Sequence, residues 1–397
     1  MKPLEPYILQ MPSDIILDIF CKLPAKTLLQ CKCVCKSWRG YLSDCQFTKV
    51  LFSRAPPTTC FLIRGFTLDY GSKPSICRPR RNFLVDVDID SSSSSSYNSA
   101  AVKLPQDGIA DSYGMSYDFV KIVGSYNGLV CLKDSWRYST PFHICNPMTG
   151  ESLHLSPPPM RTLIDERKPF VSGFGFSPIS RVYKVLVMHC NESKAKVLTV
   201  GSKIWRSIDA NNYELFAPHN SRMVYMNGYL NSIVVHDRLR STCPVSICAF
   251  DVESEQFQQI SRPFILDDDA YYYNYCNLVI VRGCLSFVAS RTNKINVWVM
   301  ENYGVNESWT HEYEFIGTFK PYDVRIKIWV QLLKIRDEGL VLLLCEDGFY
   351  ASTCTLRTCG EPLMVEEAKL ANGMPSTITS ACAFTPSFVP LNVMIRG

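Results

Sequence analysis

The 397-residue sequence contains no apolar run of membrane-spanning length. Its best stretch, Leu340 to Cys345, is strand-sized, against the roughly 18 residues that a bilayer helix needs. Charge of one sign is also scarce in net terms: 41 Lys+Arg against 37 Asp+Glu leave +4. Such a balance excludes a protein driven mainly by the field of a polyanion, so neither nucleic acid nor a membrane is expected as a partner. Met1-Lys2-Pro3-Leu4-Glu5-Pro6 has no apolar core, and a secretory signal is not expected. Histidine is sparse and scattered, at positions 143, 154, 189, 219, 236 and 311. No Gly-x-Ser-x-Gly elbow occurs, and Gly173-Phe174-Gly175-Phe176 lacks the third glycine and following helix of a dinucleotide loop. These absences leave no catalytic residue, cofactor or metal to expect.

Cysteine, by contrast, is plentiful. Eighteen residues fall largely within apolar runs, the pattern of reduced thiols packed as small hydrophobes rather than a disulfide framework. The expected location is therefore cytoplasmic, nuclear or both, and the Asn-Glu-Ser sequons at Asn191 and Asn306 are chance matches. With 47% hydrophobic residues the chain can fold around cores, and its length suits a small domain plus a large one, or a repeat-built fold.

The first fifty residues read as helix. Ile15, Ile16, Ile19, Phe20 and Leu23 fall within an arc of about 140° at helical spacing, with Ser13 as the expected N-cap and Asp14 in the first turn. Pro24 ends that pattern. A second helical stretch runs from about Ala25 to Leu42, with Leu28, Cys31, Cys35, Trp38 and Leu42 on one side. Lys26, Gln30, Lys32, Lys36 and Arg39 form its solvated side, and a further break within it is open. On one helix Cys31 and Cys35 share a face while Cys33 points away, so these thiols do not converge on a metal ion. Forty residues bury such large apolar groups poorly by themselves. The helices either cap the larger domain or grip another protein.

Met11-Pro12-x-Asp14-Ile15-Ile16-x-Asp18-Ile19-Phe20-x-Lys22-Leu23-Pro24, followed by Lys26-Thr27-Leu28-x-Gln30-Cys31-Lys32-x-Val34-Cys35-Lys36-Ser37-Trp38, resembles an F-box. Met11, Gln30 and Cys31 depart from the family's usual Leu, Arg and Phe. The resemblance implies a three-helix module over residues 5–50 that docks on a Skp-type adaptor, which in turn binds a cullin scaffold. It carries the adaptor-facing positions onto Pro12, Ile15, Ile16, Ile19, Leu23, Pro24, Leu28 and Val34, with Trp38 anchoring the third helix from inside.

Beyond residue 50 the texture changes. Arg78-Pro79-Arg80-Arg81 reads as a solvated basic loop, and the six serines from Ser91 to Ser96 as part of a Ser-rich surface loop at 90–99. Short strand candidates then follow without a convincing amphipathic helix: Leu129–Leu132, Phe142–Cys145, Tyr183–Met188, Lys196–Val200, Met223–Tyr225, Leu230–Val235, Ser246–Phe250, Leu278–Val281, Leu285–Val288, Ile295–Met300, Ile326–Leu333 and Leu340–Cys345. Glycines at 128, 228, 283 and 339 each open a strand, at spacings that imply a period of about 50 residues with one opening unmarked. Tyr183–Met188, Lys196–Val200 and Trp205 supply the missing copy. This predicts an α plus all-β chain: helices, then a β-propeller of about six to eight blades over 51–397, with a pair of β-sandwiches as the runner-up.

Tyr126-Asn127-Gly128-Leu129, Cys145-Asn146-Pro147-x-Thr149-Gly150, Gly173–Pro178, Phe250-Asp251-Val252 and especially Val297-Trp298-Val299-Met300-x-x-Tyr303-Gly304-Val305-x-Glu307-Ser308-Trp309 resemble the F-box-associated, kelch-like propeller domain of plants. Together the two resemblances imply the substrate receptor of an SCF-type E3 ubiquitin ligase. Such a receptor is itself non-catalytic, and its propeller loops hold an unknown protein target for ubiquitination. Within Asp267 to Tyr275, Tyr271, Tyr272 and Tyr273 are candidate substrate contacts, since clustered tyrosines suit binding surfaces; a solvated loop is the plainer alternative. Readings of a different class are a kelch-oxidase-like propeller enzyme with a helical cap, which needs convergent Tyr and His ligands, and a glycan-binding propeller.

Overall fold

The computed structural model describes residues 11–23, 25–54, 60–66, 81–86, 98–102, 120–134, 140–159, 170–189, 193–210, 223–235, 245–263, 276–291, 294–317, 331–335, 340–345, 348–353, 363–365, 368–369 and 377–396. Helix α1 spans Ser13–Cys21, α2 Ala25–Val34, α3 Lys36–Tyr41 and α4 Cys45–Arg54. Ser13 is the first helical residue rather than the cap; the carbonyl of Pro12 instead accepts from the Ile15 and Ile16 amides. The stretch expected to run from Ala25 to Leu42 breaks at Cys35, whose extended backbone caps α3 while its Sγ accepts from the Trp38 amide. Cys35 thus leaves the helix that carries Cys31, and the shared face inferred for the two does not exist. Asp44 caps α4, its carboxylate accepting from the Phe47 amide at 2.7 Å. Phe20 packs edge-on against Trp38 and Phe47, which puts Trp38 inside the module as expected.

The strands of the described residues form six sheets, antiparallel apart from one added strand. The second blade holds Val120–Tyr126, Leu129–Asp134, Phe142–Asn146 and Glu151–Leu155; the third, Phe170–Ser177, Val182–His189, Lys194–Thr199 and Arg206–Asp209. The fourth has Val224–Met226, Tyr229–Val235, Val245–Asp251 and Phe257–Ile260, and the fifth Cys276–Val281, Cys284–Arg291, Lys294–Met300 and Trp309–Gly317. Gln331–Ile335, Leu340–Cys345, Gly348–Thr353 and Ala368–Lys369 make the sixth, while Leu363–Val365 adds a parallel strand to the fifth. The first blade is composite: Cys60–Phe66, Arg81–Asp86 and Asn98–Val102 take their innermost strand, Thr377–Phe384, from the far end of the chain. First strands of successive blades touch in a closed circuit of six, from Thr377–Phe384 round to Gln331–Ile335 and back. The expected propeller is present, with six blades among the described residues, and pairing Cys60 with Phe384 closes it.

Local chemistry explains the hairpins. Asn127-Gly128, Asn227-Gly228 and Arg282-Gly283 adopt φ near 49° and then about 80–87°, the left-handed pair that a two-residue I′ turn demands. The copy without a glycine is the third blade, where the turn is Pro178 to Arg181 and Arg181 itself takes φ 57°. Gly173 and Gly175 serve the sheet interface: a Cβ at Gly173 would meet the Met223 sulfur at 2.7 Å, and one at Gly175 would meet Val252 at 2.9 Å. Trp205, just before the fourth strand of the third blade, and Trp309, the first residue of the fourth strand of the fifth, each donate their indole N–H at 2.9 Å to a carbonyl at the end of the preceding blade, Ser156 and Ser261. The third and fourth blades also share a buried ion pair. Lys184 lies 2.8 Å from Glu255, whose carboxylate also takes Arg206.

Further expectations need adjustment. Arg81, assigned to a solvated basic loop, begins the strand Arg81–Asp86. Asn98 and Ser99, assigned to the Ser-rich loop, begin the strand Asn98–Val102; residues 90–97 lie outside the described residues. A short helix absent from the expectations, α5 (Leu391–Arg396), ends the described chain, and Leu391, Met394 and Ile395 pack into the core between the second and third blades. Ile326–Leu333 is described only from Gln331, and Gly339 is outside the described residues.

Candidate functional site

Helix α1 carries two apolar faces. Ile16, Leu17 and Phe20 are almost wholly buried, whereas Ile15 is 48% exposed and Ile19 38%. The positions i and i+4 that Ile15 and Ile19 occupy stack on one side of the helix, and Met11 and Pro12 extend the same side upstream as exposed residues. Asp18, between them, reaches Arg54 of α4 at 3.4 Å. At the end of α2, Val34 is 64% exposed. An exposed run of large apolar groups on helices that already have a core is the signature of a surface awaiting a partner.

The inferred adaptor-facing set therefore divides. Pro12, Ile15, Ile19 and Val34 face outward. Leu23 is half-buried against the core, and Pro24 lies outside the described residues. Ile16 and Leu28 are corrections: both are inside the core, closed to a second polypeptide, and support the ridge from behind. An arc of about 140° is wider than one contact face, so periodicity alone did not separate Ile15 from Ile16.

The module's core does not stop at its own boundary. Ile16, Leu17, Phe20, Leu28, Cys31, Leu42 and Leu51 form one cluster with propeller residues, among them Leu62, Val130, Met148, Phe384 and Phe388. Lys32, placed on the solvated side by the sequence pattern, instead sets its ammonium 4.9 Å from the centre of the Phe388 ring. Burial lowers its pKa, against the opposing pull of the Glu151 carboxylate. The exposed ridge thus faces away while the other side of the same helices seats on the propeller.

Four histidines of the propeller are among the described residues. His143 and His154 sit opposite one another in the second blade with ring centres 4.3 Å apart. Burial, then His154 and Lys133, push the His143 pKa down to about 4. His189 lies in the third blade and His311 in the fifth, so these four histidines do not converge. Burial pushes the Cys248 and Cys276 thiols up to about 12, which keeps them protonated and unreactive. Tyr271, Tyr272 and Tyr273 fall outside the described residues. What sequence reasoning missed is the seat itself: Asn146, seen only as part of an Asn-Pro pair, and the apolar segment Phe384 to Val389, whose Phe and Pro content after the last strand was the available signal.

Comparison with known proteins gives two family matches. Residues 8–50 match the F-box domain family, and residues 82–348 match the F-box associated beta propeller domain family. Among curated relatives, the F-box protein At3g07870 of Arabidopsis thaliana is 30% identical over 84% of this chain and 82% of its own length. The F-box/kelch-repeat protein At3g23880 of the same plant is 26% identical over 85% of this chain and 88% of its own. Among solved structures, a putative 6-phosphogluconolactonase from Bacteroides uniformis aligns over 83% of this chain at 10% identity with a TM-score of 0.43.

Proposed function

Since the chain belongs to the plant F-box proteins that carry an F-box-associated β-propeller, a family whose general role is that of a non-catalytic substrate adaptor, we propose that it is the substrate-recognition subunit of an SCF-type E3 ubiquitin ligase. The observation that carries the reading is the outward ridge of Pro12, Ile15, Ile19 and Val34, apolar and left over after the same helices have built their core. Its occupant is a Skp-type adaptor, which ties the receptor indirectly to a cullin; the propeller holds a protein substrate. The complex works in the cytoplasm, the nucleus or both.

The chemistry is that of proximity. No side chain of the receptor takes part in bond making; tethering raises the effective concentration of substrate lysines near a ubiquitin thioester. The test is a pull-down of the full chain with a Skp-type adaptor. Ile15→Asp combined with Ile19→Asp places two charges on the ridge without touching the core. Anchor residues at interface centres are each worth about 2 kcal/mol or more, so binding should fall at least roughly a hundredfold while the far-ultraviolet spectrum is unchanged. Failure of the wild type to bind, or equal binding by the double variant, defeats the proposal.

A further inference from the structure

The C-terminal segment from Phe384 to Leu391 crosses the second blade and passes beneath the helices. Asn146, fully buried at the end of that blade's third strand, donates both amide hydrogens to it, at 2.9 Å to the Ser387 carbonyl and 2.9 Å to the Val389 carbonyl. Its own carbonyl accepts from the Met148 amide at 2.9 Å, so one side chain joins turn and segment. Ser387 sits so close to Gly128 that a Cβ there would lie 2.2 Å from the serine Cβ. Farther along, the Leu391 amide donates to the Glu151 carboxylate at 2.6 Å, and α5 sinks into the core against the third blade. Phe388 belongs to the cluster that contains Leu28, Cys31 and Leu42, and Lys32 lies over its ring.

We propose that Asn146 is a positioning residue which, by clamping the strap Phe384–Leu391, sets the orientation of the helical module relative to the propeller. Only an amide suits this position. Aspartate keeps an acceptor but loses both donors, and an apolar side chain leaves two buried carbonyls without partners. The strap is the intermediary because it is held from one side by hydrogen bonds to the second blade and offers an aromatic ring to α2 on the other. The consequence for ubiquitin transfer rests on the receptor reading above: a fixed angle between adaptor ridge and propeller limits which lysines come within reach. The mechanical link itself does not depend on that reading.

Hydrogen–deuterium exchange on the full chain, free and bound to a Skp-type adaptor, tests it. In Asn146→Asp, exchange should rise at least tenfold in residues 385–396 and in 25–34 together, while 182–189 and 294–300 keep wild-type protection. In a reconstituted ligase the same variant should bind adaptor within twofold of wild type yet spread ubiquitin over additional lysines of its own propeller, a readout that a purely structural role would not move. Loosening of 385–396 with 25–34 unchanged, loosening of every blade together, or an unaltered lysine pattern overturns the proposal. Should Asn146→Asp fail to fold, Phe388→Ala decides: it leaves Asn146 bonded to the strap backbone and should free 25–34 more than 385–391, and equal protection to wild type refutes the link. A wild-type chain that does not bind adaptor would sink the receptor reading while leaving the exchange result standing.

Discussion

Two glycines with nearly the same backbone should respond very differently to alanine. Gly128 has φ 81° and Gly283 φ 79°, and both close I′ hairpins. Placing an L side chain at such a φ costs roughly 1–2 kcal/mol at either site. At Gly283 nothing lies within 4 Å of the new methyl, so that strain is the whole effect. At Gly128 the methyl would stand 2.2 Å from the Ser387 Cβ and 3.2 Å from its backbone nitrogen. Ordinary carbon contact is about 3.5–4.0 Å, so the strap must retreat by more than an ångström. Overpacking of this kind adds about 1–3 kcal/mol, bringing Gly128→Ala to roughly 2–5 kcal/mol against roughly 1–2 for Gly283→Ala. Urea unfolding of the two variants beside wild type measures the difference, and exchange at 385–396 locates it. Equal destabilisation, or a strap that stays protected in Gly128→Ala, would refute the close approach on which the argument depends.

Other consequences follow from burial and charge. Ile16→Ala should cost about 2–5 kcal/mol of unfolding free energy, while Ile15→Ala should stay within about 0.5, because only the former empties a packed site; denaturant midpoints of the two decide. His143 is held neutral in the folded chain, with its pKa near 4, below the ordinary value of about 6.5. Its contribution is therefore intact above pH 6.5 and declines as pH falls from there toward 4, where the unfolded chain binds the extra proton. His143→Phe should flatten the thermal midpoint over that window relative to wild type. For Glu255, burial pushes the carboxyl up, but the Arg206 bond and Lys184 outweigh it and hold the pKa below the usual carboxylate range. That stability is present above the unfolded carboxyl pKa and lost as pH falls through the lower, folded one. Glu255→Gln should accordingly lower the midpoint at pH 7, with the deficit shrinking in acid.

Much of the site was legible because the relevant signals are local. A residue that must adopt positive φ advertises itself, so Asn127-Gly128, Asn227-Gly228 and Arg282-Gly283 mark three blades in the sequence. Trp205 and Trp309 recur because the third and fifth blades meet their predecessors in the same way. The ridge was legible in part. Ile15 and Ile16 are neighbours of equal hydrophobicity, and the choice of which faces inward depends on where α4 and the propeller stand. Lys32 was assigned to solvent for the same reason: its aromatic partner is more than 350 positions away.

Residue order alone therefore determined the helical and strand periods, the turn chemistry, the repeat of about 50 residues and the presence of an apolar ridge near the amino end. Tertiary structure decided the six blades among the described residues, their closure by Thr377–Phe384, the inward turn of Ile16 and Leu28, and the bonding of Asn146 to the strap. The physical reason is range. Backbone preference and side-chain periodicity act over a few residues, whereas closure joins Cys60 to Phe384 and Asn146 to Ser387, contacts that no local pattern encodes.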